Sequence, residues 1–204
     1  APVRPPVAET ELEHKRFDEG EFWRSVPGFR DVDVDTFLDH LWQSRNSVTS
    51  PARLRKAVEG YASEAFLSDV EAGFARAPMA MRLSPYVVGL IDWEDPYNCP
   101  IRRQFVPVGE SLYADHPCLH LDPLNEQGDS PVAGLTHRYH DKALFLATDT
   151  CPVYCRFCTR SYAVGSDTDE VTKVAFRVNH ERWRAAFAYI ASRPELEDVV
   201  ISGG

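Results

Sequence analysis

The chain has 204 residues, 44% of them apolar and 26% charged, with a formal net charge of −9. That length can bury one sizeable core or two smaller ones, and the acidic balance excludes a nucleic-acid partner held through its phosphates, which needs a basic surface. No run of about eighteen apolar residues is present, and the opening APVRPPVAETELEHKRF lacks the apolar stretch of a signal peptide, so a cytoplasmic protein with no membrane partner is expected.

Residues 1–30 are rich in Pro and Glu and poor in aliphatic residues, which predicts a loosely ordered arm. Residues 31–83 read as a helical region of three short amphipathic helices. Phe37, Leu38, Leu41 and Trp42 recur at helical spacing. Ser50 before Pro51 makes an N-cap and first-turn pair ahead of Leu54, Val58 and Tyr61, and Ser63 precedes Phe66, Leu67, Val70 and Phe74. Residues 84–142, broken by proline in NCPIRRQ, HPC, DPL and DSPV, read as an irregular crossing segment; long loops of this kind are often functional.

Residues 143–204 have a different texture. ALFLAT (143–148) is the short continuous apolar run of a strand buried on both faces of a parallel sheet. Asn179 caps a helix with Trp183, Ala186, Phe187 and Ile190 on one stripe, and Pro194 marks its exit. DVVISGG (198–204) is a second buried strand. Strand, loop, helix, strand is a βαβ unit whose right-handed crossover sets the strands parallel. Chemistry in such folds gathers at the C-terminal ends of strands, where both the loop after ALFLAT and Gly203-Gly204 fall. Two parallel strands cannot close a barrel or cover both faces, so the chain is expected to be the N-terminal part of a longer protein.

The stretch TDTCPVYCRFCTRSYAVG holds Cys151, Cys155 and Cys158, three of the five cysteines. Clustering and an odd count favour metal or catalytic use over disulfides. Zinc usually takes four ligands, so a zinc-binding interaction module would need Cys118 or His140 as the fourth. An iron–sulfur cube held by three cysteines instead keeps one iron open to another ligand. The amine and carboxylate of S-adenosylmethionine could chelate that iron, and an electron from the cluster would cleave the sulfonium to a 5′-deoxyadenosyl radical. An electron-transfer module is a further reading, for which no fourth cysteine stands nearby.

Arg160, two residues from Cys158, offers the two-pronged donor that matches a carboxylate; the bland alternative is a bridge to an acid such as Asp167. Arg138 and Lys142 in THRYHDK either meet an anion or sit in a solvated turn. Cys99 and Cys118 read as small buried residues, Arg102 and Arg103 as anchors of the crossing segment on the barrel, and His137 and His140 as structural or solvent-facing.

CxxxCxxC after a first strand, with the aromatic Phe157 before the last cysteine, resembles the radical S-adenosylmethionine superfamily. More narrowly, DSPVAGLTHRYHDKALFLATDTCPVYCRFCTR, with NCPIRRQ and ISGG, resembles the lysine 2,3-aminomutase family from about Trp42 to Gly204. The resemblance implies the start of a partial, TIM-like (β/α) barrel preceded by a helical region. It implies a [4Fe-4S] cluster on Cys151, Cys155 and Cys158, with S-adenosylmethionine and pyridoxal 5′-phosphate as further cofactors. Gly203 and Gly204 would meet the methionyl amine, Phe157 would flank the adenine, Arg160 would pair with the substrate carboxylate, and Arg138 with Lys142 would lie near the pyridoxal phosphate. The implied activity moves an amino group from Cα to Cβ of an amino acid, L-lysine first, with glutamate, arginine or a lysine of a translation factor as alternatives. An electron donor and a homo-oligomeric assembly are implied as partners. The lysine that carries pyridoxal phosphate is expected beyond Gly204, so this stretch is not expected to turn over alone. Ser161 and Phe157 depart from the Arg and His common in the family's lysine enzymes, which bears on the choice of amino acid.

Overall fold

The structure, a computed structural model, describes residues 19–109, 116–176 and 178–203; the expectations for residues 1–18 and for Gly204 fall outside the described residues. In the first half, helices begin where a short polar side chain takes up a free amide of the first turn. The Asp33 carboxylate accepts from Thr36 N at 2.9 Å and opens α1 (Val34–Leu38), and Asp39 accepts from Trp42 N at 2.6 Å and opens α2 (His40–Arg45). The single helix expected through Phe37 and Trp42 is therefore two. Asp39 is extended between them, which keeps Phe37 in the core and leaves Leu38 and Leu41 exposed. Ser50 opens α3 (Pro51–Ala57) and Ser63 opens α4 (Glu64–Phe74), as their sequences predict.

Two further helices, α5 (Pro85–Gly89) and α6 (Pro100–Phe105), stand in the segment read as irregular. Each repeats the Ser50-Pro51 device, with Ser84 and Cys99 as the caps. Within the stretch read as a loose arm, the described part is ordered: short 3-10 turns at Phe22–Ser25 and Pro27–Phe29 place Trp23, Val26 and Phe29 in the core. Trp23 stacks on Phe37 with centroids 4.1 Å apart. FWRSVPGF carries too much apolar area to stay in water. Around these rings Leu54, Val58, Phe66, Val70, Leu83, Val88 and Trp93 form one continuous core.

Arg102 is buried in this half. It donates to Pro96 O at 2.6 Å and Tyr97 O at 2.5 Å, so it ties its own segment together; Arg103 is exposed and lends its carbonyl to Arg156. Cys99 is buried as expected, but Cys118 is exposed, since its neighbours in HPCLHLD are polar or themselves exposed.

The second half is a three-stranded sheet in the order β1-β2-β3: β1 (Leu135–Tyr139), β2 (Lys142–Leu146) and β3 (Asp198–Ser202). β2 and β3 are parallel, in register from Lys142 opposite Asp198 to Leu146 opposite Ser202, and α7 (His180–Ala191) makes the crossover. β1 is an unforeseen strand, antiparallel to β2 through a tight turn at His140 and Asp141. Asn179 caps α7, whose Ala186 and Trp183 pack on Leu135, Ala143 and Phe145. β3 is not buried as expected: Val199, Val200 and Ile201 are exposed, Ile201 at 71%, because among the described residues nothing covers that side. The described fold is thus a mixed helix-and-sheet unit; a closed barrel is not among the described residues.

Candidate metal and carboxylate site

The cysteine loop leaves the C-terminal end of β2 and is held at its root by α7. Arg182 donates to Leu146 O at 2.7 Å, to Ala147 O at 3.0 Å and to Phe176 O at 2.9 Å, and Trp183 donates its indole N–H to Ala147 O at 2.9 Å. Further along, Tyr154 N donates to Arg82 O and Arg156 N to Gln104 O, so the loop is tied to the helical half, and Gly165 N donates to Asp149 O to close it. Side-chain donors from α7 and backbone hydrogen bonds to the helical half thus fix the loop from both halves.

All three thiols are free and half-buried. Cys151 and Cys158 pack beside Met79, Tyr154 and Val164. Burial, and then the neighbouring Cys158 and Cys155, push the Cys151 thiol up to about 11, and burial followed by Cys158 raises Cys155. Thiols raised in this way, Cys151 and Cys155, are suited to a cationic partner, whose charge would favour their thiolates. Among the described residues no three His, Cys, Asp or Glu side chains converge as ligands of a single ion. His140, one proposed fourth zinc ligand, lies in the β1–β2 turn at the other end of β2. The donor set is three half-buried thiols carried on one loop.

Arg160 is bound to neither Asp167 nor solvent alone. Its Nη2 donates at 2.8 Å to Glu126, a buried carboxylate thirty-four residues earlier, whose other oxygen accepts from Tyr162 OH at 3.0 Å. Arg160 Nε is buried and has no hydrogen-bond partner. Glu126 was not foreseen: one acid in DPLNEQGD carries no periodicity or motif, and only its contacts in the fold mark it.

Phe157 is 64% exposed, directly before Cys158. Gly203 lies at the end of β3 beside Thr148, and this contact accounts for its missing side chain. Arg138 and Lys142 are not brought to the cysteines. Lys142 opens β2, about 13 Å along the strand from Leu146, and pairs with Asp141 and, at 3.7 Å, with Asp198. Arg138 donates to Asp129 at 2.7 Å and to Leu124 O. Beside the loop a cavity of about 460 Å³ is lined by Asp149, Tyr154, Asp167 and Lys173 among others. Lys173 reaches out of it to donate to Pro78 O at 2.8 Å and Ser161 O at 2.5 Å, and burial lowers its pKa.

Comparison with known proteins gives consistent relatives. An L-lysine 2,3-aminomutase of Bacillus subtilis is 34% identical over 195 residues, 95% of this chain and 38% of its own length. Those of Acetoanaerobium sticklandii and Clostridium subterminale are 39% and 38% identical, each across 86% of this chain and 39% of their length. The chain thus spans less than two fifths of these curated relatives. No family model matches it.

Proposed function

We propose that the chain belongs to the lysine 2,3-aminomutase family, to whose members it is 34–39% identical, and that it forms the cluster-binding part of a radical S-adenosylmethionine enzyme that moves an amino group from Cα to Cβ of an amino acid, L-lysine first. In this reading Cys151, Cys155 and Cys158 each bind one iron of a [4Fe-4S] cluster. When bound, the cluster with S-adenosylmethionine supplies a hydrogen-abstracting radical, and pyridoxal phosphate supplies the carrier of the migrating nitrogen.

The rest is placement by this chain's own groups. Arg182 and Trp183 hold the loop root, Gly203 lets β3 approach it, and the Arg160 guanidinium would meet a substrate carboxylate. Phe157 and Gly203 would face S-adenosylmethionine, joined by Gly204. Arg138 and Lys142, at the other end of β2 and already paired with acids, would reach pyridoxal phosphate only by exchanging those partners. The activity is that of the whole protein, to which residues outside this stretch contribute.

The observation that carries this reading is the union on one pre-tied loop of three half-buried thiols and a guanidinium with an unpartnered buried N–H. Anaerobic reconstitution should give about four irons per chain with a broad brown absorbance, and Cys155→Ala should remove it. One tightly held zinc, without colour and without cleavage of S-adenosylmethionine, would replace this reading with the zinc module.

A further inference from the structure

Glu126 stands on a loop whose backbone is fixed from both sides. Asp122 accepts from Glu126 N and from Gln127 N, each at 2.9 Å. Asn125 takes the left-handed conformation, φ +53°, that lets the chain turn between them. The Glu126 carbonyl accepts from Ser130 Oγ at 2.7 Å and from Thr136 Oγ1 at 3.4 Å, the latter on β1. Arg138 closes the loop through Asp129 and Leu124 O. The carboxylate so placed is buried, with one oxygen on Arg160 and the other on Tyr162.

Such a pair is a poor device for stability alone, because the desolvation of two charges offsets most of their attraction. It does fix geometry. The Arg160 side chain, 27% exposed, is held through Nη2, and its Nε is buried without an acceptor. A ligand that meets a guanidinium already in place loses less conformational entropy on binding.

We propose that Glu126 is a positioning residue, which with Tyr162 holds the Arg160 guanidinium in the orientation that meets the α-carboxylate of the substrate; this rests on the role of Arg160 given above. Charge alone makes the opposite prediction. Glu126 partly neutralises Arg160, so removing its charge would strengthen the attraction for an anion, whereas loss of positioning weakens it.

The test uses the full-length, reconstituted protein. Among L-lysine, L-arginine and L-glutamate, the amino acid that the parent binds most tightly is chosen, and its Kd is compared with that of the amine left when its α-carboxylate is removed. Glu126→Gln should raise the amino-acid Kd about tenfold, the scale of one charge-assisted hydrogen bond, with the amine Kd and the iron content unchanged. Tyr162→Phe, which leaves the ion pair but frees one carboxylate oxygen, should act in the same direction by about threefold, and it serves alone if Glu126→Gln does not fold. An unchanged or tighter amino-acid Kd, or an equal loss for the amine, overturns the proposal while the functional reading stands. A parent protein that takes up no iron overturns both.

Discussion

A Cβ built on Gly203 would stand 2.7 Å from the backbone nitrogen of Thr148 and 3.0 Å from its carbonyl oxygen. The end of β3 and the first turn of the cysteine loop are therefore in backbone contact, and Ala147 N donating to Ser202 O at 2.6 Å joins them one residue earlier. A glycine after a strand is ordinary turn chemistry by sequence. In this fold it lets two strand ends converge at the root of the cysteine loop.

Gly203→Ala should accordingly force backbone apart. The expected loss is about 1–3 kcal/mol, the range for overpacking a filled site, read from denaturant midpoints, with lower iron uptake under equal reconstitution conditions. An unchanged midpoint would mean that the contact yields without cost.

Arg182 is the second support of the loop root, with three carbonyls on its guanidinium. Replacing it with Met keeps the stem and removes the donors. A loss of about 2 kcal/mol is expected from hydrogen bonds to a charged group, with faster amide exchange around residues 146–149 than elsewhere in the sheet. Arg182→Lys should recover only part of it, since one ammonium cannot span three acceptors in a plane.

Tyr162 sets a dependence on pH. Burial first, then the charge of Glu126 and the hydrogen bond to it, raise the phenol above the ordinary tyrosine value. A folded-state value above the unfolded one, about 10, means that the folded protein holds this proton more tightly. The stabilisation is fully present below about pH 10 and is lost as pH rises towards the folded value. The parent should therefore lose stability more steeply than Tyr162→Phe above pH 10, and the variant should lack the last tyrosine to ionise in an ultraviolet titration. Parallel stability curves above pH 10 would contradict this.

Phe157 separates stability from ligand binding. At 64% exposed it contributes little packing, so Phe157→Ala should stay within about 0.5 kcal/mol of the parent in stability. If it flanks the adenine, the same change should weaken S-adenosylmethionine binding several-fold in an equilibrium titration of the reconstituted protein. Equal binding would remove it from the site.

Much of this architecture is legible in the sequence where local chemistry decides it. Ser50-Pro51, Ser63 and Asn179 mark the starts of α3, α4 and α7, and the apolar runs before Thr148 and before Gly203 mark β2 and β3. Ser84-Pro85 and Cys99-Pro100 carried the same signal for α5 and α6, masked by the prolines and turns around them. β1 was hidden for a different reason: LTHRY has little apolar alternation, and His140-Asp141 is not a common hairpin turn pair, so only pairing with β2 makes it a strand. The thiols announce themselves by spacing. Glu126 does not, because its role depends on a contact with Arg160 that no local pattern encodes.

The central claim is a cube held by three thiolates with one iron open. The most direct measurement is the electron paramagnetic resonance spectrum of the reduced, reconstituted protein before and after S-adenosylmethionine is added. An open iron accepts the new ligand, so the signal should shift on addition. A four-iron signal that S-adenosylmethionine leaves unchanged would mean a filled fourth site, and would contradict the account.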